Sequence, residues 1–348
     1  MKFNPIIHIG SKIISKDSPT FIIAEAGVNH GGDTAVAKQL IDIAHECGAD
    51  AVKFQAFRTE NLILKSVEKA PYQQKTTDKR ESQFDMLKRL ELKTQHYQEL
   101  KDYCDAKGIV FLITPFDDAS LTELESIKVD AYKVASTDTT NLPFLKQIAA
   151  TGKPMLLSTG MSYMEEVELA MEEIHALNKD VILLQCTANY PINDNEANLN
   201  VIETYKAKFN AIIGYSDHSV GLGAALYAVP MGAKVLEKHF TIDKSQDGPD
   251  HLASLDPSEL KEFVQTVRRI ETYMGGFIKE PTLSELKTRA SLQKCLVASS
   301  DIPQGEFFSE SNITAKRTGG RGISPIKYRE IIGKPATRHY SKDEIIEE

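Results

Sequence analysis

The chain has 348 residues, of which 41% are hydrophobic and 26% charged, and a formal net charge of −8. This composition fits one large globular domain, or one large and one small, with ample material for a core. The acidic balance argues against a general nucleic-acid or membrane-surface binder, yet leaves room for an anionic small substrate held by local positive charge.

The start, Met1-Lys2-Phe3-Asn4-Pro5, lacks the apolar core expected of a signal peptide, and no apolar run approaches a bilayer span. Cys47, Cys104, Cys186 and Cys295 are scattered, with no CxxC pair. That predicts a reducing cytoplasm, with neither a disulfide framework nor a structural zinc site.

Residues 6–14 read as two short strands about a Gly-Ser turn, an N-terminal hairpin ahead of the main fold. Eight apolar runs follow, each ending in polar residues: Phe21–Glu25, Ala51–Gln55, Ile109–Thr114, Ala131–Ser136, Pro154–Gly160, Val181–Thr187, Ala211–Asp217 and Lys234–Phe240. Helix-period segments alternate with them. The first follows Asp33 as N-cap and stops at Gly48; others are Thr94–Lys107, Asn141–Thr151, Met164–Leu177 and one near Asp256–Met274. This pace predicts a parallel (β/α)8 TIM barrel, with a doubly wound open sheet as the alternative. Polar residues at every carboxyl end favour the barrel, whose chemistry sits on that face.

The interval from residue 51 to residue 109 is about twice the others and marks an insertion over roughly 57–92. At the carboxyl face such an insert is a lid or substrate-binding loop, or else a solvated excursion. The barrel domain is expected over 1–280 and a linker over 281–289. A small β-rich domain is expected over 290–348, small enough to lean on another surface for stability.

Strand alternation sorts the candidate site residues. Lys53 and Gln55 share one face of the second barrel strand, and Glu237 and His239 share one face of the eighth. Glu25 ends the first, Lys133 and Ser136 belong to the fourth with Asp138 beyond, and Ser158 ends the fifth. Tyr190 follows the sixth; Ser216 and His218 follow the seventh. Lys53 and Lys133 interrupt apolar strands, where an unpaired charge is costly. Together with the serines they make a cradle for phosphate and carboxylate. His218 and His239 come from neighbouring strand ends and could share one divalent metal; taken singly, each reads as well as a hydrogen-bonded strand-end histidine. Asp250, in Gly248-Pro249-Asp250-His251, either reaches a polyol or caps a turn. Cys186 reads as a small buried thiol rather than a nucleophile. A Schiff-base aldolase using Lys133 or Lys238, another phosphoenolpyruvate-dependent aldolase and a non-catalytic carbohydrate-binding protein are the rival readings.

These stretches resemble the sialic acid (nonulosonic acid) synthases. The resemblance lies in Ile-Ala-Glu-Ala-Gly-Val-Asn-His-Gly-Gly at 23–32, Val-Lys-Phe-Gln at 52–55, Tyr-Lys-Val-Ala-Ser at 132–136 and Leu-Ser-Thr-Gly-Met at 157–161. It continues in Gln-Cys-Thr-Ala-Asn-Tyr-Pro at 185–191, Gly-Tyr-Ser-Asp-His at 214–218, Glu-Lys-His-Phe-Thr at 237–241 and Gly-Pro-Asp-His at 248–251. The tail, with Ala315-Lys316-Arg317, resembles the antifreeze-like (SAF) domain of that family. The resemblance implies condensation of phosphoenolpyruvate with an N-acetylmannosamine-type aldose. It implies His218 and His239 as ligands of Mn2+ or Mg2+, and Lys53, Lys133, Ser136, Ser158 and Ser216 around phosphoenolpyruvate. Glu25 and Asp138 become the catalytic carboxylates, with Gln55, Tyr190, Asp250 and Arg317 on the sugar. It also implies a homodimer in which the small domain, with Arg317, covers the partner's barrel. Thr137, Asp138, Ala188 and Thr318 depart from the commoner pattern of Gly, Glu, Asn and Pro. Lys69–Gln73 and Glu81-Ser82-Gln83 look more like the legionaminate-forming branch.

Overall fold

The computed structural model describes residues 1–71, 73–78 and 80–347, so Tyr72 of the expected insertion lies outside the described residues. Two compact units divide the chain, Met1–Gly275 and Gly276–Glu348. In the first, an antiparallel hairpin, β1 (Ile6–Ile9) and β2 (Lys12–Ser15), precedes eight parallel strands. These are β3 (Phe21–Gly27), β4 (Ala51–Ala56), β5 (Val110–Pro115), β6 (Tyr132–Val134), β7 (Met155–Ser158), β8 (Val181–Cys186), β9 (Ile212–Asp217) and β10 (Val235–His239). Pairing of β10 with β3 closes the sheet, so the open-sheet alternative falls and the TIM barrel stands.

Side-chain alternation explains how one barrel carries both a core and a site. At the amino-terminal end the inward positions are apolar. Phe21, Ile23, Leu112, Leu156, Ile182 and Val235 form one buried cluster with Ile7, Ile9 and Ile14, so the hairpin plugs the barrel floor. Further along the same faces stand Glu25, Lys53, Thr114, Lys133, Ser158, Ser216, Glu237 and His239, all buried. The outward positions, among them Val52, Phe54, Phe111, Tyr132, Leu157, Tyr215 and Leu236, pack in the larger cluster under the helices. At the end of β3 the register shifts between Glu25 and Gly27, and Gly27 takes φ +53°, a conformation that glycine adopts without strain.

The helices follow their sequence signals. Asp33 caps Thr34–Glu46 by accepting from the Ala35 amide, and Asp256 caps Pro257–Met274 by accepting from that of Glu259. Helix Thr94–Lys107 ends at Gly108 as the pattern indicates. The insertion is not an irregular excursion: it folds into Thr59–Leu62, Gln73–Thr76 and Gln83–Leu90. Val28, Phe57, Met86 and Leu90 give it a small apolar core of its own. No helix among the described residues is long and apolar enough to cross a membrane.

The second unit contains an exposed helix, Leu283–Leu292, across the stretch expected as a linker. Beyond it β11 (Lys294–Ala298) pairs antiparallel with β12 (Ile313–Arg317), placing Lys294 opposite Arg317. Leu296, Ile302, Phe308, Ile313, Ala336, Tyr340 and Ile346 give this unit its own core.

Candidate active site

Polar strand ends of the barrel converge on a cavity of about 380 Å3. At its floor two ammonium groups meet two carboxylates. Lys53 Nζ lies 3.0 Å from Glu25 Oε1 and 3.6 Å from Glu237 Oε1, and Lys133 Nζ lies 3.8 Å from Glu237 Oε1. Register dictates the meeting, since Glu25 pairs with Lys53 on β4 and Glu237 with Ser216 on β9. Ser216 Oγ donates to Glu237 Oε1 at 3.0 Å, Lys53 Nζ donates to Thr114 Oγ1 at 3.2 Å, and Gln55 Nε2 donates to Glu25 Oε1 at 3.2 Å.

The two carboxylates are pushed apart in acidity. Burial raises Glu25 to about 7, with Lys53 pulling it down and Glu237 pushing it up. Burial pushes Glu237 up as well, but Lys133 and Lys53 outweigh it and hold this carboxyl below its ordinary value. Burial, helped by the Lys53 charge, lowers Lys133 against the pull of Glu237. Glu25 Oε2, Glu237 Oε2 and Ser158 Oγ are buried without a hydrogen-bond partner, so donors and acceptors point into the cavity uncommitted.

Opposite this floor stand two imidazoles. The His218 and His239 rings are 5.4 Å apart, and the Tyr190 ring packs 4.0 Å from the first and 5.3 Å from the second. His218 Nδ1 donates to the Thr187 carbonyl at 2.7 Å; burial pushes this ring down, but Cys186 and the bond to Thr187 outweigh it and hold it above the ordinary histidine value. His239 Nδ1 is buried with no hydrogen bond, 3.7 Å from Asp250 Oδ2. Burial, then the charges of His218 and Lys53, holds His239 well below the ordinary histidine value, in its neutral form. Burial raises Asp250 to about 6. Two imidazoles on neighbouring strand ends suit a divalent cation, which binds their neutral forms and takes its remaining ligands from water or substrate. Among the described residues no cluster of three or more His, Cys, Asp or Glu is arranged to hold a metal ion.

Residues 40–279 match the NeuB family, and residues 293–348 match the SAF domain. The chain belongs to the NeuB family. It is 46% identical to the N,N'-diacetyllegionaminic acid synthase of Campylobacter jejuni, covering 94% of this chain and 99% of that one. It is 41% identical to the synthase of the same name from Legionella pneumophila, covering 92% and 91%. The crystal structure of N-acetylneuraminic acid (sialic acid) synthetase from Leptospira borgpetersenii aligns with TM-score 0.73 and 36% identity, covering 84% of this chain and 98% of that one.

In this NeuB chain the cavity is lined by eleven of the thirteen residues singled out from the sequence: Glu25, Lys53, Gln55, Lys133, Ser136, Ser158, Tyr190, Ser216, His218, His239 and Asp250. Asp138 does not line it. The chain leaves β6 in a 3-10 turn, Ser136–Asp138, and there the Asp138 carboxylate accepts from Asn141 Nδ2 at 3.0 Å. Arg317 is exposed at the end of β12 in the second unit. Lys238 points out of the barrel, bonded to Asp217 at 2.9 Å, so a Schiff base at that residue has no place in the cavity. Alternation puts Glu237 on the face it shares with His239 without assigning it a task; the structure sets it beside Lys53 and Lys133. Gln73, Gln83, Met86 and Leu87 of the insertion also line the cavity. Gln73 and Gln83 belong to the stretches that resemble the legionaminate-forming branch; no motif marks Met86 and Leu87, although the position of the insert after the second barrel strand points to them.

Proposed function

We propose that this chain condenses phosphoenolpyruvate with an N-acetylmannosamine-type aldose, giving a nonulosonic acid and inorganic phosphate. The observation that carries the reading is the pairing of Lys53 and Lys133 with two buried carboxylates on the floor of a cavity that two neighbouring imidazoles also line. The names of the related synthases from Campylobacter and Legionella support the product class.

Lys53 and Lys133 neutralise the phosphate and carboxylate of phosphoenolpyruvate, and Ser136, Ser158 and Ser216 supply hydroxyl donors. Gln55, Tyr190 and Asp250 orient the sugar. His218 and His239 would hold a divalent cation, Mn2+ or Mg2+, which when bound supplies Lewis-acid polarisation of the sugar aldehyde. C3 of phosphoenolpyruvate forms the new bond to the aldehyde carbon, water adds at C2, and the C2–O bond to phosphate breaks. Glu25, raised to about 7, takes the proton from that water and the aldehyde oxygen receives one in turn; as the C2–O bond breaks, the new C2 hydroxyl becomes the carbonyl and its proton leaves with phosphate. Glu237 remains ionised between the two ammonium groups and stabilises cationic character at C2. Asp138, turned to Asn141, supports the turn that presents Ser136.

The second unit supplies Arg317 to the sugar within a homodimer, each small domain serving its partner's barrel. Phosphate release from phosphoenolpyruvate that requires the sugar tests the reaction. Equal release with and without sugar would make the protein a phosphatase instead.

A further inference from the structure

A buried ion pair lies just outside the cavity. Asp217 and Lys238 stand opposite each other on β9 and β10, one residue out of phase with the inward-facing positions. Their side chains are 0% and 1% exposed. Lys238 Nζ donates to Asp217 Oδ2 at 2.9 Å and to the Ser219 carbonyl at 2.7 Å. Asp217 Oδ1 accepts from the Ser219 amide and hydroxyl at 2.9 and 2.6 Å, and Oδ2 accepts from the Ala225 amide at 3.0 Å. Ser219 Oγ in turn accepts from the Ala224 amide at 2.9 Å. At Gly223, φ +61°, a Cβ would stand 2.0 Å from Ser219 Oγ, 2.8 Å from Asp217 Oδ2 and 2.9 Å from Lys238 Nζ.

The outward neighbours Tyr215 and Leu236 belong to the apolar cluster under the helices. An apolar pair at 217 and 238 would stabilise the barrel about as well, because desolvation offsets most of the attraction in a buried ion pair. Directional bonds do what apolar packing does not: they fix the backbone where β9 ends and its loop begins. Ser216 and His218 flank Asp217, and Glu237 and His239 flank Lys238. The His218 carbonyl accepts from the Ile192 amide at 3.0 Å, which ties the Tyr190 loop to the same point.

We propose that Asp217, Lys238 and Ser219 form a positioning clamp that sets His218 against His239 and, through the His218 carbonyl, Tyr190 over both. The inference rests on the condensation reading for what the imidazoles and Tyr190 hold. Of the groups assigned to phosphoenolpyruvate only Ser216 adjoins the clamp; Lys53 and Lys133, on β4 and β6, lie outside it, so its loss should fall chiefly on the sugar side of the site.

The test uses the full-length double variant Asp217→Asn/Lys238→Met, which removes both charges at similar volume, beside the milder Ser219→Ala. Steady-state kinetics read the two KM values separately. Electron paramagnetic resonance reads Mn2+ binding without turnover, and thermal unfolding reports the fold. The double variant should raise the sugar KM and the Mn2+ Kd at least ~10-fold while the phosphoenolpyruvate KM moves less than ~3-fold, since displacement of about 1 Å suffices for large losses. Ser219→Ala should move the same two quantities in the same direction, by less. Wild-type sugar KM and Mn2+ Kd in a folded double variant would overturn the clamp, as would equal rises in both KM values. If the double variant does not fold, Ser219→Ala decides by the same comparison. A wild-type protein that turns over no phosphoenolpyruvate with any sugar sinks the condensation reading itself. The Mn2+ titration then judges the clamp alone, and absence of Mn2+ binding to the wild type overturns it too.

Discussion

Glu25 holds its carboxyl at about 7 because it is buried, with Lys53 and Glu237 pulling in opposite directions. Folded Glu25 therefore binds a proton more tightly than the same group in the unfolded chain, whose ordinary value is 4.5. Its contribution to stability is full below the unfolded value and is lost as pH rises to about 7. Urea midpoints of the wild type should fall across that window, and those of Glu25→Gln should fall less; identical slopes would assign the effect to other groups. The same substitution should remove the limb near pH 7 from the kcat/KM profile, where wild-type activity rises as the carboxylate ionises. Lys133→Met should lower kcat/KM for phosphoenolpyruvate by about 100-fold or more, because it removes a buried countercharge to both substrate and Glu237. Asp138→Asn should leave kcat within a few-fold of wild type and cost about 1 kcal/mol in stability through its bond to Asn141. A collapse of kcat in a folded Asp138→Asn protein would return that carboxylate to the chemistry. Much of the cavity lining was legible in the sequence because period-two alternation puts Lys53 with Gln55 on one face of β4 and Glu237 with His239 on one face of β10, and closure of the barrel brings both pairs to the cavity. What alternation does not fix is the direction of a side chain after the strand has ended. Asp138 sits beyond β6 in a 3-10 turn, and there its neighbour Asn141 captures it.

At the scale of elements, the hairpin and the insertion close opposite ends of the barrel. Ile9 of β1 is fully buried among the inward residues of the barrel strands. Ile9→Ala should lower stability by about 2–4 kcal/mol, seen as a reduced urea midpoint, with kcat unchanged. Arg58 fastens the insertion at both of its ends. Its Nη2 donates to both Glu123 oxygens at 2.7 and 2.6 Å and to Thr94 Oγ1 at 2.8 Å, and its Nη1 donates to the Leu92 carbonyl at 3.3 Å. Arg58→Ala should speed proteolytic cleavage within residues 63–83 and raise the sugar KM several-fold, because six cavity-lining residues, Ala70, Pro71, Gln73, Gln83, Met86 and Leu87, ride on the insertion. Unchanged cleavage would mean that the apolar contacts of Met86 and Leu90 suffice. The eight strands were readable as apolar runs bounded by polar ends. The inner structure of the insertion was not, since its short helices depend on burial of Phe57, Met86 and Leu90 against Val28 of the barrel rather than on strong periodicity.

For the whole molecule, the homodimer proposal makes Arg317 act on a barrel other than its own. A mixture of Arg317→Ala and Lys53→Met subunits, each nearly inactive alone, should regain activity after exchange, because one barrel in each mixed dimer then has both residues intact. No recovery in mixed dimers verified by mass spectrometry would place Arg317 in its own subunit's site or outside the reaction. The regular β-α pace stops after the helix near Asp256–Met274 and the later residues change to short strands and tight turns; the expectation ended the barrel domain at residue 280, whereas the chain divides after Gly275. An exposed helix over Leu283–Leu292 was not foreseen there, since its weak amphipathic pattern buries no residue within the chain.

The most direct measurement is phosphate release from phosphoenolpyruvate, with N-acetylmannosamine and separately with its 2,4-diacetamido-6-deoxy analogue, in the presence of Mn2+ or of EDTA. Release that needs a sugar, matches the nonulosonic acid formed mole for mole and stops on chelation is the predicted result, and the preferred sugar names the branch. No release with either sugar would contradict the substrate assignment. Sugar-dependent release that survives thorough chelation would remove the cation from His218 and His239.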